Sequence, residues 1–112
     1  MNKATPLGEF EQVVLLAILR LGTTAYGVSI RQEILACTRR SVSPGALYTT
    51  LDRLEKKNAV VSREGEPTPE RGGRAKRFYT VTEAGRGQLA EAQRAFQQLM
   101  SGLELLGEQY GG

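Results

Sequence analysis

The sequence predicts a mainly α-helical chain that carries one small β-hairpin. Three observations predict it. Apolar residues recur at helical spacing in four separate segments. Two β-branched stretches flank a Gly- and Pro-rich loop. Residues that cap helices stand where those helices should start.

Residues 9–21, EFEQVVLLAILRL, read as the first helix. Phe10, Val13, Val14, Ala17, Ile18 and Leu21 share one face, and Gly22 stops the helix. Leu15, Leu16 and Leu19 fall off that face, so the helix is apolar nearly all round and must be covered on two sides. A short chain has little material for both, so a partner chain is expected on one of them. Thr23-Thr24 offers a cap for a second helix over residues 25–38. Tyr26, Ile30, Ile34 and Cys37 line its packed face, which makes Cys37 a small inert hydrophobe. Arg31, Gln32 and Glu33 look outward. Ser43-Pro44 is a strong helix start, because Ser supplies a cap oxygen and Pro fits a position that needs no amide donor. The third helix runs from about Pro44 to Lys57. Leu47, Leu51 and Leu54 form its buried stripe, and Gly45, Tyr48, Thr49, Asp52, Arg53 and Lys56 form the opposite face.

Residues 59–64 and 74–82 read as two strands joined by the loop 65–73, GEPTPERGG, which makes a hairpin. Thr82 caps a last helix, in which Leu89, Ala92, Phe96, Leu99, Leu103 and Leu106 alternate at spacings of three and four. That seam is short for an autonomous coiled coil and suits a helix that docks on a partner. The tail, residues 107–112, is expected to fray.

Composition narrows the function. The 112 residues suit one domain with an appendage, too small for a two-domain enzyme with a deep cleft. There is no His and a single Cys, which excludes a disulfide framework, a Cys/His zinc site and a His-based triad. No metal and no cofactor is expected. Glu64, Glu66 and Glu70 fall in or beside the loop with no acid–base partner near, which speaks against an enzyme. Met1 to Gly8 lacks the pattern of a signal peptide and the longest apolar run, Val13 to Leu19, is far short of a membrane span, so the expected location is cytoplasmic.

The net charge of +3 is unevenly spread. Residues 39–77 carry ten basic side chains against five acidic ones, while residues 78–112 carry two against four. A concentrated basic stretch on a modestly charged chain is the footprint of polyanion binding.

Three helices followed by a hairpin describe a winged helix-turn-helix, with the third helix as the one that enters the major groove. Its outward residues suit that task. Arg53 has the fork that matches guanine, Thr49 suits a phosphate or a thymine methyl, and the Tyr48 hydroxyl suits a phosphate. Gly45 lets a phosphate approach the positive end of the helix, and Lys56 adds a cation. The hairpin tip contributes Arg71, Arg74, Lys76 and Arg77, with glycines that let it follow a groove.

The chain also resembles the PadR-like winged-helix transcriptional regulators. The resemblance lies in LGEFE (7–11), AYGVSIR (25–31), SPGALYTTLDRL (43–54), RGGRAKRFY (71–79) and VTEAG (81–85), and it covers roughly residues 7–103. It implies a homodimer whose C-terminal helices cross over, and repression by occupation of a palindromic operator on double-stranded DNA. It implies DNA contacts at Ser43, Tyr48, Thr49, Arg53, Arg74 and Arg77. The single C-terminal helix matches the family's short branch. A small-molecule effector is compatible with the resemblance, and no residue identifies one.

The expected division is therefore residues 1–85 as the DNA-binding unit and 86–112 as a dimerisation helix and tail. The expected dimer surface comprises Leu15, Leu16 and Leu19 of the first helix with Leu89, Phe96, Leu99 and Leu103 of the last. The alternative is a winged helix that binds protein through the same face. The discriminating feature is the pair of cation sets at Arg53, Lys56 and Lys57 and at Arg74, Lys76 and Arg77, since a protein-binding module would more often carry apolar residues on the outward face of the third helix.

Overall fold

The computed structural model describes residues 6–67 and 75–105. Helix α1 spans Glu9–Leu21, α2 spans Gly27–Thr38 and α3 spans Pro44–Lys56. Strands β1 (Val60–Pro67) and β2 (Ala75–Val81) pair antiparallel, and helix α4 (Glu83–Met100) follows. A single 3-10 turn, Gly22–Thr24, links α1 to α2.

Helix α1 is the centre of the core. It packs against α2, α3, β2 and α4. That arrangement corrects the expectation for Leu15, which is completely buried within its own chain. The hairpin and α4 cover the second side of α1 that the sequence left open to a partner. Leu15 joins Val14, Ile18, Ile30, Ile34, Leu47, Leu51, Leu54 and Val60 in the interior. Leu19 is half-buried and packs on the same core, while Leu16 remains exposed. Gly22 ends α1 with φ 62°, a conformation open to glycine at little cost.

Helix α2 begins two residues later than expected. Ala25 and Tyr26 are extended, because the Ala25 carbonyl accepts from the Tyr79 amide (2.9 Å) and Tyr26 bridges to Phe78. The Ser29 hydroxyl, rather than a threonine, closes the start by accepting from the Tyr26 amide at 2.9 Å. Cys37 is exposed rather than packed, and its thiol donates to Glu33 at 3.4 Å. Arg31 does not simply face solvent; its Nε donates to the Val42 carbonyl at 2.8 Å.

Helix α3 starts as its sequence predicts. Ser43 Oγ accepts from the Ala46 amide at 3.1 Å and Pro44 opens the helix. The hairpin strands run longer at the first strand than expected, to Pro67, with an irregularity in register between Glu64 and Pro67. Residues 68–74, including Arg71 and Arg74, lie outside the described residues.

Helix α4 is capped by Thr82, whose Oγ1 accepts from the Gly85 amide at 2.9 Å. Its first turns belong to the core. Gly85 is buried against the Ala59 carbonyl, and Leu89 is only 5% exposed. Leu89 therefore has no surface left for a partner, which corrects its place in the expected dimer surface. The helix ends at Met100, with Gly102 at φ 81°, so Leu103 is not part of the helical seam. Leu106 and the tail lie outside the described residues.

Candidate nucleic-acid interface

The face of α3 opposite the core is exposed: Gly45, Tyr48, Thr49, Asp52, Arg53 and Lys56 all face outward. This follows from the local sequence. Leu47, Thr50, Leu51 and Leu54 bury one stripe, and the remaining positions of a 3.6-residue repeat have nowhere to go but solvent. Thr50 satisfies its hydroxyl within the helix by donating to the Ala46 carbonyl at 3.0 Å. Nothing stands within 4 Å of a side chain added at Gly45, so the start of α3 is open to an approaching group. Ser43 is exposed, and its oxygen is already engaged as the cap.

Lys56 pairs with Asp52 across one turn at 3.4 Å, both well exposed, so the pair is weak and easily exchanged for an external anion. Arg53 makes no ion pair among the described residues. Lys57, which the sequence groups with the other cations, is withdrawn. Its Nζ donates to Glu11 Oε1 (2.7 Å) and to the Pro6 carbonyl (3.3 Å). Glu11 is 6% exposed and also accepts from the Gly8 amide at 2.8 Å. Burial opposes ionisation of Glu11, but Lys57, the Gly8 amide and the Arg53 charge together hold its carboxyl below the ordinary range. The pair fixes the C-terminal end of α3 to the start of α1. No pattern in the sequence announces it, because the partners are 46 residues apart.

The described base of the hairpin lies beside α3. Arg77 Nη1 donates to Ser62 Oγ (3.0 Å), and Ser62 Oγ donates to Glu55 on α3 (2.8 Å). Arg77 Nη2 also reaches Glu64 at 3.4 Å. Arg77 is thus exposed but tied into the base of the hairpin. Between the strand and the helix, Tyr79 is buried; burial chiefly, with the Glu55 charge second, pushes its phenol up. Lys76 Nζ stands 4.3 Å above the Tyr26 ring, and Tyr26 stacks at a tilt on Phe78 with centroids 5.6 Å apart. The structure therefore ties Arg77 to α3 through Ser62 and Glu55, whereas Lys76, on the other face of the strand, sits over Tyr26 at the start of α2. Tyr26, placed by its periodicity on the packed face of the second helix, joins α2 to the hairpin through Phe78.

Helix α4 exposes Phe96 (62%), Leu99 (74%) and Met100, and α1 exposes Leu16. Leu103 is also exposed, beyond the helix end. Among the described residues no group of three or more His, Cys, Asp or Glu gathers as metal ligands. No described helix is long and apolar enough to cross a membrane.

Comparison with known proteins extends this geometry. Residues 15–91 match the model of the transcriptional regulator PadR-like family. The chain is 42% identical over 84 residues to Transcriptional regulator Rv3488 of Mycobacterium tuberculosis, a match covering 75% of this chain and 72% of that protein. Among solved structures it is similar to a PadR-like transcription factor from Bacteroides fragilis, with TM-score 0.66 and 27% identity over 80% of this chain and 82% of that one. It shares its fold with F93 from STIV, a winged-helix DNA-binding protein, with TM-score 0.66 and 22% identity over 89% of this chain and all of that one. The helix order, the hairpin and the match across most of the chain lead to one assignment: this protein belongs to the PadR-like family of transcriptional regulators and has a winged-helix fold.

Proposed function

We propose that the protein is a sequence-specific DNA-binding regulator, a cytoplasmic homodimer that represses transcription by occupying a palindromic operator. The observation that carries this reading is the exposed face of α3, polar and cationic, beside the cations at the base of the hairpin. In this reading α3 enters the major groove. Arg53 reads a base edge, Thr49 and Tyr48 meet the sugar-phosphate backbone or a thymine methyl, and Gly45 admits a phosphate near the helix start. Ser43 contributes its exposed edge to the same end of α3. Lys56 supplies a cation once Asp52 is displaced. Lys76 and Arg77, with Arg71 and Arg74 beyond the described strands, hold the flanking phosphates.

Residues 1–85 form the DNA-binding unit and 86–112 supply dimerisation, with Leu89 anchoring the second to the first. What supports the dimer is the set of apolar side chains left uncovered on α4 and α1: Leu16, Phe96 and Leu99. A helix that exposes them would draw a second copy. An effector that changes the angle between the halves would shift the spacing of the two α3 helices and so release the operator.

Binding to random duplex over a salt series tests the reading. DNA binding through phosphates predicts that log affinity falls with log salt at a slope of about 0.9 per phosphate neutralised. A flat response, or no binding at low salt, would favour a winged helix that binds protein instead.

A further inference from the structure

We propose that Gly27 is a positioning residue for Tyr48: the missing side chain at the first position of α2 forms a seat that holds the Tyr48 hydroxyl on the DNA-facing side of the molecule. The inference rests on the DNA-binding reading above and adds to it a residue on a different helix.

The geometry is specific. Gly27 is buried. A Cβ placed on it would overlap the Tyr48 hydroxyl oxygen and stand 2.9 Å from Cζ and 3.6 Å from Cε1. The backbone does not ask for glycine there, since Gly27 is not among the positive-φ glycines and lies in an ordinary helical turn. Alanine would suit the helix better. An alanine methyl there would meet only the end of the Tyr48 ring and would push that flexible tip out of its seat.

Tyr48 is 49% exposed on the outer face of α3. A half-exposed side chain on a helix surface samples more than one rotamer and loses that freedom when it binds. With its tip lodged at Gly27, Tyr48 is ordered before DNA arrives. The surroundings fix the seat itself. Tyr26, the residue before Gly27, is held by Phe78 at 5.6 Å between ring centroids and lies beneath Lys76 at 4.3 Å. The Tyr26 amide is closed by Ser29. The first turn of α2 thus seats the tip of a side chain from the outer face of α3, and the neighbouring Tyr26 ties that turn to the hairpin strand. A hydroxyl held on the outer face of α3 is a suitable donor to a phosphate oxygen.

The test is a double-mutant cycle on the full chain, using a duplex that the wild-type protein binds. Gly27→Ala is expected to weaken binding about tenfold, the scale of one lost hydrogen bond to a charged acceptor. The salt slope stays the same because Tyr48 carries no charge, and the thermal midpoint does not fall. In a Tyr48→Ala background the same change is expected to cost nothing further, because the ring it displaces is gone. Wild-type affinity in Gly27→Ala, or an equal loss in both backgrounds, would overturn the positioning role. The seat is also read without DNA: the Tyr48 ring resonances of the free protein should move in Gly27→Ala, and unmoved resonances would overturn it. A wild-type chain that binds no duplex at any salt would instead remove the DNA reading and with it the purpose of the seat.

Discussion

Glu11 and Arg53 show two ways in which a charged residue serves this molecule. Arg53 projects from α3 without an ion-pair partner among the described residues, so its guanidinium is available to a base edge. Arg53→Ala should weaken specific binding by about 1–3 kcal/mol and relax preference at one base pair in each half-site. A competition assay against single-base variants of the site measures both. Glu11 acts inward. Its carboxylate holds Lys57 and the Gly8 amide at once. Glu11→Gln should lower stability by about 1–3 kcal/mol, because a charged hydrogen bond is lost and Lys57 must seek water. Urea unfolding should show a lower midpoint with an unchanged slope. The depressed carboxyl also sets a sign. Its contribution is complete above the ordinary carboxylate range and is lost as pH falls through the lower folded value, so acid should narrow the gap between wild type and Glu11→Gln. At this scale the outward face of α3 was legible from sequence alone, because Leu47, Leu51 and Leu54 define the opposite stripe. The Glu11–Lys57 pair and the Gly27 seat were not, because both join residues far apart in the chain and neither follows a local period.

At the scale of elements, the starts of α3 and α4 were legible and the edges of others were not. Ser43 and Thr82 each close a helix start with their own oxygen, a local bond that the sequence can announce. Ser43→Ala should cost about 1 kcal/mol of stability through loss of that cap. Thermal unfolding of the free protein measures it. Helix α2 started later than the sequence suggested, because its first residues pair with strand β2. Leu15 and Leu89 were misplaced for a related reason. Periodicity identifies an apolar surface but not which neighbour covers it, and here the cover is the hairpin and α1 of the same chain. Gly85 marks how tightly α4 enters that core. A Cβ there would overlap the Ala59 carbonyl oxygen and stand 3.0 Å from Val81 Cγ1. Gly85→Ala should destabilise by about 1–3 kcal/mol, since backbone rather than a flexible tip must yield. Calorimetry of the variant beside wild type would expose a neutral change as a contradiction.

For the whole molecule, the order of helices and hairpin was legible early, and the family match across residues 15–91 confirms the fold that this order implies. How two copies meet was less legible. Four of the seven residues expected at the dimer surface stay uncovered in the chain, namely Leu16, Phe96, Leu99 and Leu103, and Leu103 lies past the end of α4. Phe96 carries the proposed interface most clearly, being 62% exposed on a helix whose other end is anchored by Leu89. Phe96→Asp should yield a folded monomer with intact helical content and greatly weakened operator binding. Sedimentation of that variant as a dimer would refute the interface. Selection of bound duplexes from a random pool shows whether two α3 faces and their flanking hairpins straddle one duplex. Enriched sites made of two inverted half-sites about one helical turn apart, roughly 34 Å, are expected. Enrichment of a lone asymmetric site, or no enrichment at all, would contradict this arrangement.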